Sequence, residues 1–271
     1  MDNRPIGVFD SGLGGLTVVR QLLRQMPAED IVYFGDIGRV PYGNRSRETI
    51  EKYARQDCRF LEKKEVKQII AACGTVSSTA PHVLEQASVP ACGVVEATAD
   101  GAAAASRNGK IGILGTAATI RSGAFTRRIL ASRPQAQTFP MACPLLIPLV
   151  EAGWISPDDE IARQIVRRYI APLQEQGIDT LILGCTHFPL LAPILADELG
   201  EAVTLIDPGR ETAAAVARQL ESRGAQSLAR RIGTCRFYVS DRPDDFSRIA
   251  AMFLGRDIGD DVEQVDLDML G

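Results

Sequence analysis

The sequence predicts an α/β protein built from mainly parallel strands covered on both faces by helices, arranged as two related units. Three observations predict it. Short apolar runs alternate with helix-length segments from the N-terminus to about Leu254. A strand–glycine–threonine pattern restarts at Lys110-Ile111-Gly112-Ile113-Leu114-Gly115-Thr116, which marks a boundary between units near residues 94 to 100. Two apolar runs also end in a reactive thiol with a threonine close behind: Ile69-Ile70-Ala71-Ala72-Cys73-Gly74-Thr75 and Leu181-Ile182-Leu183-Gly184-Cys185-Thr186.

The elements follow in order. Pro5 to Phe9 reads as a first strand, Asp10 to Gly15 as a turn, and Leu16 to Met26 as a helix with Leu16, Val19, Leu22 and Leu23 on one face. The turn is Gly-x-Gly-Gly, not the Gly-x-Gly-x-x-Gly of a dinucleotide site, so a tight turn is the better reading. Ile31 to Phe34 is a strand ending at Gly35-Asp36. The loop Arg39 to Arg45 holds Pro41, Tyr42 and Gly43, and a helix capped by Ser46 runs to Lys63. Val66 to Ala72 is the strand before Cys73. Thr75 to Gln86 reads as a helix, Pro90 to Val94 as a strand and Glu96 to Arg107 as an alanine-rich helix.

In the second unit Ile120 to Leu130 reads as a helix and Gln135 to Pro140 as a strand. Cys143 to Glu151, with two prolines, reads as a buried irregular loop, and Pro157 to Gln176 as a long helix. The Leu181 strand leads through Cys185 and His187 into a helix reaching Leu199. Val203 to Ile206, Glu211 to Arg223, Cys235 to Asp241 and Pro243 to Leu254 complete the alternation. The acidic segment from Asp257 reads as a loose end.

Composition narrows the function. The chain has 271 residues, 45% hydrophobic, enough for one large or two ordinary cores. A net charge of −4 with no long basic cluster disfavours nucleic acid as the main partner. No export signal and no membrane-length apolar run are seen, so a cytoplasmic protein with reduced thiols is expected. Six cysteines without Cys-x-x-Cys, and two histidines, give no zinc-ligand spacing, so no metal is expected.

Two thiols at strand ends fit one kind of chemistry. Inverting a stereocentre by proton transfer needs a base on one face and an acid on the other, with the roles exchanged in reverse. A cysteine with an ordinary pKa of about 8.5 can serve in both forms. Cys73 and Cys185 are the candidates. His187, Asp10, Asp36 and Glu151 are candidates to tune them or to hold an ammonium group, while Thr75 and Thr186 can donate to a carboxylate. Cys58, Cys92, Cys143, Cys235 and His82 are read as structural.

These residues carry a resemblance. Ile6 to Leu16, Gly35-Asp36, Arg39 to Arg45, Ala72-Cys73, Gly115-Thr116, Pro148 to Glu151 and Leu181 to Pro189 closely resemble the glutamate racemases of the aspartate/glutamate racemase superfamily. The resemblance implies two pseudo-symmetric α/β domains, residues 1–96 plus 210–271 and residues 97–209, with the active site in the cleft between them. It implies cofactor-independent interconversion of L- and D-glutamate by Cys73 and Cys185. Asp10, Ser11, Tyr42, Gly43, Gly74, Thr75, Thr186 and His187 match positions that bind substrate or assist the thiols. It further implies a homodimer supplying D-glutamate for peptidoglycan. The family's Cys-Asn-Thr is here Cys73-Gly74-Thr75, which removes an amide side chain and leaves the Gly74 backbone N–H. Competing readings are a racemase of aspartate or a hydantoin, and a non-catalytic regulatory protein on the same fold with a protein partner such as DNA gyrase.

Overall fold

The computed structural model describes residues 2–227, 229–258 and 262–266. The chain first lays down β1 (Ile6–Asp10), α1 (Leu16–Gln25), β2 (Ile31–Gly35), α2 (Arg47–Lys63), β3 (Gln68–Ala71), α3 (Gly74–Thr79), α4 (Pro81–Glu85) and β4 (Ala91–Gly93). Helix α5 (Val95–Ala105) then crosses to a second sheet. That unit comprises β5 (Lys110–Gly115), α6 (Ala117–Ser122), α7 (Ala124–Ser132), β6 (Gln137–Ala142), α8 (Leu146–Glu151), α9 (Glu160–Glu175), β7 (Thr180–Leu183), α10 (Ala192–Leu199) and β8 (Thr204–Ile206). Helix α11 (Pro208–Ser222) returns the chain to the first sheet, which gains β9 (Cys235–Val239), α12 (Pro243–Leu254) and β10 (Val262–Gln264).

Every strand pairing among the described residues is parallel. The first sheet runs β10-β9-β2-β1-β3-β4 and the second β6-β5-β7-β8. The orders β2-β1-β3-β4 and β6-β5-β7-β8 are the same order repeated. In each sheet the chain reverses direction of travel beside the strand it started from, and the crevice at the strand C-termini there is where open α/β sheets bind ligands. That crevice falls between β1 and β3 in one sheet and between β5 and β7 in the other. One apolar cluster spans both sheets, joining Ile6 and Val8 to Leu181 and Leu183. Helix α1 packs on the returning helix α11.

The α/β class and the parallel sheets are those the sequence predicts, and several local readings change. The helix expected over Thr75 to Gln86 breaks at Ala80, because the residue before Pro81 is pushed out of helical geometry. The helix expected over Ile120 to Leu130 starts earlier, capped by Thr116, and is split by Gly123 at φ 64°. The Cys143 to Glu151 segment is not irregular to its end: Leu146–Glu151 is helical. Pro148 sits in its first turn, where a backbone N–H has no partner to lose. Phe188–Leu191 forms a 3-10 turn before α10, in keeping with Pro189 and Pro193 at successive starts. The segment after Asp257 is not wholly loose, since Val262–Gln264 pairs with β9; residues 259–261 and 267–271 of it lie outside the described residues.

Candidate functional site

The two crevices face one cavity of about 300 Å³, within the range of small-molecule sites. It is walled by Asp10, Ser11 and Gly12 after β1, by Tyr42, Gly43 and Asn44, and by Cys73, Gly74 and Thr75 after β3. The second unit contributes Thr116 and Ala117 after β5, Cys143 and Pro144 before α8, Ile147, Pro148 and Glu151 of α8, and Gly184 to His187 after β7. Cys73 and Cys185, 112 residues apart in sequence (185 − 73), thus arrive at one site from equivalent strands.

The loop after β1 is shaped by close approach. Gly12 N donates to Asp10 Oδ2 at 3.1 Å, and the Tyr33 hydroxyl donates to Gly12 O at 2.8 Å. A Cβ on Gly14 would lie 2.1 Å from Thr186 Oγ1 and 2.7 Å from His187 Nδ1. Gly14 therefore lets one unit's loop touch the other's. Thr17 Oγ1 reinforces the contact by donating to Thr186 O at 3.0 Å. Asp10 is buried, and burial raises its carboxyl above the usual range against the pull of His187 and of backbone N–H groups.

Cys73 stands at the N-cap of α3 with its Sγ 3.5 Å from Ser11 Oγ. Burial first, and Asp10 second, push its thiol up to about 12. Cys185 has different neighbours. Its Sγ lies 3.8 Å from His187 Nδ1, and His187 Nε2 lies 3.0 Å from Glu151 Oε1 at the end of α8. Burial disfavours the imidazolium, but the bonds to Cys185 and Glu151 outweigh it and lift His187 to about 10. One thiol therefore faces a carboxyl and a hydroxyl, the other a cation backed by a carboxylate.

The hydroxyls form a second layer. Thr75 Oγ1 lies 3.2 Å from Thr116 Oγ1, and Thr116 Oγ1 accepts from Thr119 N at 3.1 Å as the cap of α6. Thr116 is a cavity residue that the candidate set lacks, although the strand–glycine–threonine restart is the signal that finds it. Cys143, read as structural, also reaches the wall; its Sγ donates to Met141 O at 3.5 Å, and burial pushes it up to about 12. Nothing in the sequence separates it from the other spare cysteines.

Asp36 is the exception among the candidates. It does not line the cavity. It bonds the Tyr42 hydroxyl, accepts from Arg39 Nε at 2.6 Å and from Ser240 Oγ at 2.7 Å, and is fully buried. Asp57 completes this group, 3.1 Å from both the Tyr42 hydroxyl and Arg39 Nη2. Asp36 thus anchors the loop that carries Tyr42 and Gly43. The physical reason is topological: β2 lies beside β9, away from the crevice between β1 and β3, so a strand-end position there does not face ligand.

Among the described residues, no three His, Cys, Asp or Glu side chains come together to hold a metal ion, and no helix is long and apolar enough to cross a membrane.

Comparison with known proteins adds the following. A family model described as Asp/Glu/Hydantoin racemase matches residues 6–216. The glutamate racemase of Geobacter metallireducens is 43% identical over 268 residues, covering 98% of this chain and 97% of that protein. A glutamate racemase isoform from Bacillus anthracis superposes with a TM-score of 0.93 at 36% identity, over 98% of this chain and 99% of that one. The glutamate racemase of Francisella tularensis, solved in complex with D-glutamate, gives 0.90 at 37% identity, over 99% and 100%.

Proposed function

This chain belongs to the Asp/Glu/hydantoin racemase family, as an isomerase of the glutamate racemase kind, and from that premise we propose that it interconverts L- and D-glutamate by two-thiol proton transfer. One observation carries the mechanism: Cys73 and Cys185, at the ends of equivalent strands of two sheets, line the same cavity. Cys185, as thiolate, removes the α-proton from one face. The electron pair of the broken C–H bond stays on carbon and is delocalised into the adjacent carboxylate. Cys73, as thiol, then gives its proton to the opposite face, so that a C–H bond forms as the S–H bond breaks. The cycle ends with a thiol at 185 and a thiolate at 73, which is the starting point for the reverse direction.

The surroundings fit these states. His187, lifted to about 10, presents a cation to the Cys185 sulfur and is itself held by Glu151. Cys73, pushed up to about 12, rests as the thiol, with Ser11 and Asp10 beside it for the opposite stroke. Thr75, Thr116 and Thr186 offer hydroxyls to the substrate carboxylates. Gly43 and Gly74 offer backbone N–H groups from positions without a side chain to obstruct approach.

We assign residues 1–96 with 210–271 to one domain and residues 97–209 to the other. The same reading makes the protein a cytoplasmic homodimer that supplies D-glutamate for peptidoglycan; light scattering of purified protein tests the dimer.

The reaction is tested by circular dichroism with L-glutamate and, separately, D-glutamate, with no added cofactor and in deuterated water. Optical signal should decay from both sides while proton NMR shows deuterium entering the α-position. Replacing either Cys73 or Cys185 by alanine should lower the rate by at least roughly 100- to 10,000-fold, the usual share of an acid or base. Racemisation without deuterium entry, or full activity in either variant, overturns the mechanism.

A further inference from the structure

The C-terminal helix reaches the site without lining the cavity. Phe253 of α12 is fully buried, and its ring stands edge-to-face against the His187 imidazole, with centroids 5.2 Å apart and planes at 84°. That is the favoured geometry of an aromatic pair. The imidazole must meet two partners at once, Cys185 Sγ through Nδ1 and Glu151 Oε1 through Nε2. Rotation about its last side-chain torsion breaks both contacts together, and that torsion is broad rather than sharply staggered. Something must therefore fix the ring plane. Gly14 closes one side, since a Cβ there would meet Nδ1 at 2.7 Å, and Phe253 supplies an aromatic support. The titratable groups facing the ring are Cys185 on its own loop, Glu151 from α8 and Asp10 from β1.

The same helix face serves the other thiol. Phe246, seven residues earlier (253 − 246), packs 6.1 Å from the Tyr33 ring, and the Tyr33 hydroxyl holds Gly12 O in the loop that carries Asp10 and Ser11. Seven residues are two helical turns, so the two rings share one stripe of α12. The stripe braces the loop beside Cys73 at one end and the imidazole beside Cys185 at the other.

We propose that Phe253 is a positioning residue: its ring fixes the plane of the His187 imidazole, so that the Cys185–His187–Glu151 alignment depends on the C-terminal helix. This rests on the two-thiol reading for its effect on rate, and on geometry alone for its effect on His187.

The test uses the full chain with Phe253→Leu, which keeps apolar bulk and removes the ring. If the ring positions His187, kcat falls roughly 10- to 100-fold, the scale of loss on misplacing a catalytic group. KM changes much less, and the alkaline limb of the pH–rate profile moves down by about one unit as the imidazolium loses its fixed partners. The protein has only His82 and His187, so a His82→Gln background makes the His187 ring signals unambiguous in NMR. The expected results are a lower His187 titration midpoint in the leucine variant and, in the parent, nuclear Overhauser contacts between the two rings. Unchanged kcat, alkaline limb and His187 midpoint overturn the proposal. So does a parent protein without ring-to-ring contacts, a measurement that stands even if the leucine variant does not fold. A parent that does not racemise glutamate defeats the two-thiol reading instead, and the His187 midpoint then decides the positioning role by itself.

Discussion

Cys73 and Cys185 hold equivalent places at strand ends yet have unlike neighbours, and the difference is one of charge. Asp10 and burial both oppose a thiolate at Cys73, whereas His187 puts a cation next to Cys185. His187 links this arrangement to stability. Its folded-state value of about 10 lies above the ordinary 6.5, because Cys185 and Glu151 outweigh the burial penalty. A group raised in this way adds stability in full below its unfolded value and loses it as pH rises through its folded value. The parent protein should therefore lose melting temperature between about pH 6.5 and 10, and His187→Gln should flatten that slope. An identical slope in both proteins, measured by thermal unfolding across the range, refutes the assignment.

At the scale of elements, the site is made by loops that approach more closely than side chains permit. The turn after β1 meets the turn after β7 at Gly14. The N-terminus of α3 meets the same turn at Gly74, where a Cβ would lie 2.8 Å from Gly184 O. At Gly74 the obstacle is backbone, which cannot move aside locally, so a substitution there must displace a loop; at Gly14 it is the Thr186 and His187 side chains. Gly74→Asn, which would give the Cys-Asn-Thr of the resemblance, has to push Gly184 back in this chain. Overpacking of this kind costs about 1–3 kcal/mol, and we expect Gly74→Asn to lose that much in denaturant unfolding. Gly14→Ala presses on Thr186 and His187 and is expected to lower kcat through the imidazole. A Gly74→Asn protein as stable as the parent would show that the two turns have slack.

At the scale of the molecule, two sheets of one strand order are joined by α5 and α11, which pack on each other. The second crossing returns the chain to the first sheet, so the last segment of sequence covers the edge of β2 and braces both sides of the site. Deleting residues 235–271 uncovers the backbone of β2 from Ile31 to Gly35 and strips away Phe246 and Phe253. An uncovered strand edge is a template for association. The shortened chain is expected to elute as aggregate in size-exclusion chromatography, and a soluble, active product contradicts the bracing role.

The α/β class, nearly every strand, the strand-end places of Cys73 and Cys185 and about half of the cavity wall can be read from the amino-acid order alone. These are legible because they are written locally: an apolar run of strand length, a glycine and a reactive residue at its end are neighbours in the chain. Tertiary structure decided the rest. Asp36 sits at a strand end like Asp10, and only the strand order shows that β2 lies away from the crevice while β1 borders it. The helix breaks at Ala80 and Gly123 are local by contrast: Pro81 and Gly123 mark them in the chain, and a reading by hydrophobic periodicity passes over both. The joining of Cys73 to Cys185 in one cavity, and the support of His187 by Phe253 (66 residues further on, 253 − 187), come from the strand-end loops of both sheets meeting at one cavity. Such contacts between residues distant in the chain leave no periodic or local trace, because each residue obeys only its own element's pattern until the elements meet.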